Sequence, residues 1–235
     1  MKKVRIFLFI ISLCLTNSIC SQNAQKKATD TLPPAEKYGI RAGIDVAKII
    51  RSSFDDDYSG FEIVADYRIY KNFYIATEFG NESLNRKEEN ITVKGAGNYI
   101  NFGFDYNAYK NWYGMQNNIY FGLRYGYSNF DQNLVAYKIF TGTDYFGDTT
   151  RTEAIETTGL NAGWVSLLFG IKVEVLNNLY LGANISLKRM IHEKQPSGYD
   201  NLYIPGFGKT NDIGDYNVGY GYSISYMIPF FKRRK

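Results

Sequence analysis

The chain has 235 residues, a formal net charge of +4, and an aromatic-rich composition with 21 tyrosines, 16 phenylalanines and 22 glycines. Its mean hydropathy of −0.31 is not that of an oily chain, and no segment after the N-terminus approaches the roughly 18 consecutive apolar residues of a membrane-spanning helix. The charge is small and spread along the sequence, so composition gives no case for nucleic-acid binding.

The N-terminus has the pattern of a secretory signal peptide. Three basic residues within the first five positions precede an apolar run from Ile6 to Leu15, and small or polar residues follow up to Gln22. A charged start, a short apolar core and small residues near a cleavage point are typical of such signals, and this run is too short for a membrane anchor. We predict a signal peptide over residues 1–21, cleaved near Cys20.

Both cysteines of the chain, Cys14 and Cys20, fall in this segment, so the mature protein is predicted to have neither a thiol nor a disulfide. Ile19 is bulky where a lipoprotein signal has a small residue before the cysteine, which disfavours lipidation of Cys20. Residues 22–36 contain lysine and proline pairs and are predicted to form a flexible lead-in.

Eight stretches of the mature chain alternate apolar residues with small or polar ones. A period of two is the pattern of β-strands, in which successive side chains point to opposite faces. The predicted strands are Tyr38–Ile50, Ser59–Tyr70, Phe73–Gly80, Gly97–Tyr106, Asn118–Ser128, Leu160–Leu176, Leu179–Ile191 and Tyr216–Phe230.

The last predicted strand shows this pattern most clearly. Every even position from Tyr216 to Phe230 is apolar or aromatic, whereas the odd positions are Asn, Gly, Ser, Met and Pro. At about 3.3 Å per residue the strand is roughly 50 Å long, and a tilt of about 45° leaves about 35 Å of height, enough to cross a bilayer. One face of apolar residues and one face of small or polar residues are typical of a transmembrane barrel strand.

The connections between the predicted strands alternate in length. The short ones are the two-residue turns at 71–72 and 177–178 and an Asn-rich connection at 107–117, and the longest loop is 129–158. The even strand number and this alternation predict an all-β, eight-stranded, antiparallel up-and-down transmembrane β-barrel over residues 37–231. Its tight turns would lie in the periplasm and its long loops outside the cell. Residues 232–235 form a basic tail.

Charged residues on the predicted inward face nearly balance, with five positive and six negative. They are Arg41, Asp45, Glu62, Asp66, Arg68, Glu78, Asp105, Arg124, Lys172, Glu174 and Lys188. A buried charge costs several kcal/mol unless it is paired, and an eight-stranded barrel is only wide enough inside for side chains. We therefore predict an ion-pair network and a plugged lumen, in which Arg68 lies near Asp66, Glu78 or Tyr74. The alternative is a hydrated lumen in which each charge is solvated separately.

The predicted outward face has almost no charge. Its exceptions, Lys48 and Arg189, fall near the outer rim, where long basic side chains can reach the phosphates of lipopolysaccharide. Ordinary placement at the rim explains both residues equally well.

The chain resembles the small eight-stranded outer-membrane barrels of the OmpA and OmpX type. It is more closely similar to outer-membrane barrel proteins of Bacteroidota that are classed as domains of unknown function. The stretches NIYFGLRYGYSNF, Asn118–Phe130, and GYGYSISYMIPFF, Gly219–Phe231, carry the likeness. The resemblance implies a last strand that the barrel-assembly machinery reads, through Tyr222, Tyr226, Ile228, Phe230 and Phe231. Four basic residues follow Phe231, where that class usually ends on the aromatic residue.

Candidate catalytic and metal-binding residues are few. The single histidine, His192, with Glu193 and Ser197 would suit a lipid A-modifying enzyme at the outer rim, but adjacent residues of an extended segment point to opposite faces. The run Asp55–Asp57 would suit calcium, although such a run is more often a solvated loop tip. We therefore expect neither an enzyme, nor a metal, nor a cofactor.

The sequence predicts a structural or surface-interaction protein of the bacterial outer membrane. Its expected partners are outer-membrane lipid, lipopolysaccharide and the barrel-assembly machinery, with a protein partner at loop 129–158. That loop is predicted to extend the flanking strands as a protruding hairpin with an unpaired edge. Two alternatives stay open: the lipid A-modifying enzyme, and a soluble lipocalin-like periplasmic barrel with apolar residues facing inward.

Overall fold

The structure is a computed structural model that describes residues 36–109, 116–139, 150–210 and 214–233. The predicted signal peptide, nearly all of the lead-in and the end of the basic tail lie outside these residues. The chain divides into Met1–Pro33 and Pro34–Lys235, and every element described below belongs to the second unit. Over the described residues, no helix has both the length and the apolar character needed to cross a membrane.

The described residues form eleven strands and one helix. The elements are β1 (Glu36–Asp45), α1 (Val46–Phe54), β2 (Tyr58–Tyr70), β3 (Phe73–Lys87), β4 (Ile91–Asn107), β5 (Asn118–Lys138), β6 (Thr150–Arg151), β7 (Ile155–Leu176), β8 (Leu179–Glu193), β9 (Tyr203–Ile204), β10 (Gly208–Lys209) and β11 (Tyr216–Arg233).

Eight long strands pair with their neighbours in a ring. β1 to β5, β7, β8 and β11 follow one another around the sheet, all the pairings are antiparallel, and β1 pairs with β11 to complete the circuit. The predicted antiparallel all-β architecture is confirmed. The short β6 extends the sheet beside the end of β5, and β9 pairs with β10 in a separate hairpin.

The two predicted two-residue turns are present at the same end of the ring. Lys71 has a φ of 42° and Asn178 a φ of 66°, the left-handed conformation that tight hairpin turns require. They join β2 to β3 and β7 to β8, so the remaining connections between long strands, except 108–117, lie at the opposite end, which we call the loop end.

Several strands reach further towards the loop end than the sequence predicts. β3 and β4 continue through most of the predicted loop 81–95, and β5 and β7 continue into the predicted loop 129–158. Apolar and polar residues still alternate in these extensions, but there the apolar side chains face inward and the polar ones outward. Phe130 and Leu134 are buried, whereas Asn129 and Asp131 are exposed. Strand ends predicted from apolar residues on the outer face therefore fall short of the observed ends.

The extended hairpin has no free edge on β5 within the residues described. This strand pairs with β4 as far as Tyr137 and with β7 along its other side. In the part of the hairpin that the structure describes, the edge without a strand partner belongs instead to β7, over Ile155–Gly159, because the ladder with β8 begins at Ala162.

The first predicted strand ends early. β1 stops at Asp45, and the next nine residues form α1 instead of continuing to Ile50. The Asp45 carboxylate caps the helix by accepting hydrogen bonds from the backbone N–H groups of Ala47, at 2.7 Å, and Lys48, at 3.4 Å. Val46 and Ile50 are apolar at a spacing that fits both a strand of period two and one face of a helix, so periodicity alone did not distinguish them.

Candidate functional site

The outer face of the ring carries a continuous apolar and aromatic belt. Each of the eight long strands contributes exposed large apolar side chains, from Ile40 on β1 to Phe230 on β11. On β5 the belt runs from Phe121 to Tyr127, which at about 3.4 Å per residue is roughly 20 Å, or about 16 Å of height at a tilt of about 40°. Soluble monomers rarely expose contiguous apolar patches larger than a few hundred Å².

The inner face holds a chain of alternating charges. Arg41 pairs with Asp66 at 2.8 Å, and Asp66 also accepts from Lys172 at 2.6 Å. Lys172 lies 3.8 Å from the carboxylate of Asp105, which pairs with Arg124 at 2.7 Å. The chain ends on Glu78, whose carboxylate is 3.5 Å from Arg124.

This chain contains three cations and three anions, so each charge has a partner of opposite sign. Arg41 is bound through two of its nitrogens by Asp66 and stacks over the ring of Tyr180 at 4.7 Å. Planar guanidinium groups suit such paired contacts. The space left among these side chains is about 70 Å³, large enough to hold water.

A second charged cluster lies nearer the loop end, around Lys48. Its ammonium group contacts the carboxylates of Glu82 and, at 3.5 Å, of Glu62. The phenol of Tyr99 donates to Glu62. Glu82 also accepts from the phenol of Tyr203 at 2.6 Å, so this carboxylate joins α1, β3 and the β9–β10 hairpin.

The expectation that Lys48 faces outward is wrong. The turn from strand to helix at Asp45 rotates this side chain inward, where it meets two carboxylates instead of lipid. Glu82 is not among the predicted inward residues because it lies in the predicted loop 81–95. The alternation of Glu78, Gly80 and Glu82 along β3 is the signal that could have found it.

The β9–β10 hairpin folds into the loop end of the ring. Tyr203, Ile204 and Phe207 are buried, and the ring of Phe207 packs against Trp164 with centroids 5.8 Å apart. Gly206 adopts a φ of +79°, and a Cβ there would clash with the ring of Tyr99, so only glycine fits this turn. Burial and the neighbouring Glu82 carboxylate raise the pKa of the Tyr203 phenol.

The remaining predicted interior residues have other partners. Glu174 pairs with Lys37 at 2.9 Å near the turn end of the ring, and Asp45 caps α1. Arg68 stacks over the rings of Tyr38 and Tyr74 and donates to the carbonyl of Lys71 at 2.5 Å. The structure therefore brings it to Tyr74 and not into the ion-pair chain described above.

Lys188 donates to the carbonyl oxygens of Gly206, at 2.6 Å, and Phe207, at 3.4 Å. This contact ties β8 to the hairpin. At the end of β2 an irregularity between Arg68 and Tyr70 shifts the register, and the ring of Tyr70 is exposed on the outer face.

The outward residues of the last strand lie where the pattern placed them. Tyr222, Tyr226, Ile228 and Phe230 are all more than half exposed, whereas Ser223 and Ser225 between them are buried. Phe230 lies beside the ring of Tyr67, with centroids 6.4 Å apart. The side chain of Phe231 lies outside the described part of the chain, although its backbone pairs with Tyr38. Arg189 is exposed on the outer face and stacks over Tyr216 at 5.6 Å.

The candidate catalytic residues are not assembled. His192 is exposed and lies beside the ring of Tyr127, with centroids 6.5 Å apart, while Glu193 accepts a hydrogen bond from Asn201 at 2.8 Å. Among the described hydrogen bonds none joins His192 to Ser197. In the acidic loop, Asp57 pairs with Lys87 at 2.8 Å, and this hydrogen bond lowers the pKa of the Asp57 carboxyl.

Comparison with known proteins gives one family and one structural likeness. The chain is similar to the crystal structure of Ail, the attachment invasion locus protein of Yersinia pestis, at 9% identity and a TM-score of 0.40, over 83% of this chain and 99% of that one. No curated protein matches the sequence. The family model described as Domain of unknown function (DUF6048) matches residues 3–233. Because this match covers nearly the whole sequence, the chain belongs to the DUF6048 family.

Proposed function

We propose that the protein is an integral β-barrel of the bacterial outer membrane, with a plugged lumen and a structural or surface-interaction role. The ring of eight strands closes as a barrel around the ion-pair chain. Its turn end faces the periplasm, and its loop end faces outward. The barrel does not act as an enzyme and takes no cofactor.

The belt on the outer face is the observation that carries this proposal. In water, a continuous ring of exposed Phe, Ile, Leu and Tyr side chains is unfavourable by about 25 cal/mol per Å² of apolar surface. Lipid removes that penalty. The middle of the inner face, in contrast, holds the ion-pair chain, where a soluble ligand-binding barrel has apolar residues, so this pattern disfavours the lipocalin-like alternative.

The interior supports a plug rather than a pore. Paired charges fill the middle of the ring, and the β9–β10 hairpin packs into its loop end against Trp164 and Tyr99. An eight-stranded barrel leaves room inside for side chains only. We propose that the protein holds its shape through these contacts and passes no ions in quantity.

The loop end supports a role outside the cell. The extended β5–β7 hairpin carries an edge without a strand partner, Ile155–Gly159, which can accept a strand from a protein partner. Arg189 on the outer face is placed to contact lipopolysaccharide, and the exposed aromatic residues of β11 are the proposed signal for the assembly machinery. A lipid A-modifying enzyme is less well supported, because His192 and Ser197 have no described contact.

Membrane flotation together with gel mobility tests the proposal. The protein, produced with its full sequence in a Gram-negative host, should float with outer membranes and resist extraction by carbonate at high pH. Unboiled, it should migrate differently from the boiled chain, because a closed barrel resists detergent unfolding. A protein that is released into the soluble periplasmic fraction without detergent would contradict a membrane-spanning barrel.

A further inference from the structure

The wall of the ring changes its construction beside α1. β1 pairs with β2 only up to Ile44 opposite Ile63, and with β11 only up to Asp45 opposite Ser223. Within the described residues, Tyr58–Glu62 of β2 and Tyr216–Tyr222 of β11 therefore have no strand partner on the sides that face each other. α1 fills the space between them.

Beyond its N-cap, the helix is hydrogen-bonded to one side of this space only. The carboxylate of the N-cap residue, Asp45, accepts a hydrogen bond from the backbone N–H of Tyr222 where the space begins. The hydroxyl of Ser52 accepts a hydrogen bond from the backbone N–H of Gly60, at 2.8 Å, and is 3.2 Å from the carbonyl of the same residue, which ties α1 to β2. No described hydrogen bond joins α1 to Tyr216–Gly221. The boundary between α1 and β11 is therefore a seam in the wall, closed by packing and not by a hydrogen-bonded ladder.

A cavity of about 290 Å³ lies along this seam, close to the lower end of the roughly 300–1,000 Å³ typical of ligand sites. Its lining includes both inward and outward residues of the wall: Glu82 and Lys188 belong to the inner face, whereas Val218 and Tyr220 are 61% and 68% exposed on the outer face. The cavity therefore connects the charged interior with the apolar belt.

The charges that line the cavity are unbalanced. Four are positive, on Lys48, Arg51, Lys188 and Lys209, and one is negative, on Glu82. Lys48 pairs with Glu82 and Glu62, and Arg51 pairs at 3.3 Å with Asp55, which lies outside the lining. Glu82 is already engaged by Lys48, Tyr203 and the backbone N–H of Gly206. Lys188 donates to carbonyl oxygens and not to a carboxylate in the described contacts. The site therefore favours an added anion.

We propose that this seam binds a phosphate-bearing lipid from the surrounding membrane. Its phosphate lies in the cavity near Arg51, Lys188 and Lys209, and its acyl chains run outward over Val218 and Tyr220. Lysine and arginine donate strong, charge-assisted hydrogen bonds to phosphate. The inference rests on the proposed membrane-spanning barrel, because only a protein embedded in lipid presents the outer end of the seam to acyl chains.

Three probes separate headgroup from chain. The full-length protein, folded in a neutral maltoside detergent, is titrated with didecanoyl phosphatidic acid, with didecanoylglycerol, which lacks the phosphate, and with inorganic phosphate, which lacks the chains. Native mass spectrometry counts the retained lipid, and the unfolding midpoint reports stabilisation. The proposal requires saturable binding of phosphatidic acid, at least tenfold tighter than binding of either partial probe.

A matched pair of double variants locates the site. Arg51→Gln with Lys209→Gln removes two cavity cations, and Lys94→Gln with Lys138→Gln removes two exposed lysines away from it. The first pair should weaken phosphatidic acid binding at least tenfold, and the second should leave it unchanged. Both pairs leave the half-buried Lys48 and Lys188 intact, so the protein should still fold.

The apolar half of the site has its own pair. Tyr220→Ser should weaken phosphatidic acid binding severalfold, whereas Tyr125→Ser, in the belt on β5, should not. Equal weakening by both charge pairs, or equal affinity for didecanoylglycerol or inorganic phosphate, would overturn the proposal. Gel mobility on the same preparations distinguishes the lipid site from the membrane-spanning barrel. A folded protein that requires detergent but does not bind phosphatidic acid would contradict the lipid site alone. A folded protein that stays soluble without detergent would contradict the barrel.

Discussion

At the residue scale, Arg124 shows how the interior tolerates charge. Its side chain is 3% exposed, and its guanidinium lies 2.7 Å from Asp105 and 3.5 Å from Glu78, with a further hydrogen bond of 3.0 Å to the carbonyl of Phe104. Gly122 supports this arrangement, because a Cβ there would lie 2.5 Å from the Asp105 carboxylate. Each charge is acceptable only because its partner is held in place.

Arg124→Ala should therefore destabilise the protein by about 3–5 kcal/mol, since it leaves the carboxylates of Asp105 and Glu78 without their cation. The measurement is the free energy of unfolding in urea, followed by tryptophan fluorescence in lipid vesicles. Arg189→Ala is the control, because its side chain is exposed on the outer face and should cost less than about 1 kcal/mol. Equal losses for the two variants would show that the ion-pair chain is not what stabilises the interior.

At the element scale, how well a segment could be predicted depended on which face held its apolar residues. Because its apolar residues all lie on the outer face, β11 could be predicted from Tyr216 to Phe230. The parts of β3 and β5 nearest the loop end were not predicted because their apolar residues face inward there, as Leu84 and Leu134 do. α1 was not predicted because the spacing of Val46 and Ile50 fits a strand as well as one face of a helix.

The inward charges could be predicted as a set but not as pairs. Alternation placed Arg41, Asp66, Asp105, Arg124 and Lys172 on one face, but which cation meets which anion depends on stagger between strands. Arg41 faces Asp66 in the ladder, whereas Lys172 reaches Asp66 from the far side of the ring. The hairpin at β9–β10 could not be predicted, because its contacts with Glu82 and Trp164 are distant in sequence.

The last strand allows the two faces to be compared directly. Phe230→Asp places a carboxylate in the belt, whereas Ser225→Asp places one on the inner face, at a position that is 5% exposed. We expect Phe230→Asp to lower the folded, membrane-inserted fraction several times more than Ser225→Asp, because a charge that faces lipid finds no water or partner. The folded fraction is read from the unboiled band on a gel. A larger loss for Ser225→Asp would reverse the assignment of the faces.

At the scale of the whole molecule, the interior determines whether ions pass. The ion-pair chain spans the middle of the ring, the space among its side chains is about 70 Å³, and the hairpin fills the loop end. We expect the purified protein in planar bilayers to show no sustained conductance of porin size. Stable, large openings by the unmodified protein would contradict the plug and favour transport over a structural role as the function of the protein.

The central claim is that the apolar face of this ring contacts lipid. Because both cysteines lie in the predicted signal peptide, single cysteines introduced into the mature chain can carry a fluorophore at chosen positions. The decisive measurement is quenching by lipids that carry a nitroxide on their acyl chains, at positions 222 to 226 of β11 in vesicles. The account predicts strong quenching at Tyr222, Ile224 and Tyr226 and weak quenching at Ser223 and Ser225. Uniform quenching, or quenching of the serine positions alone, would contradict it.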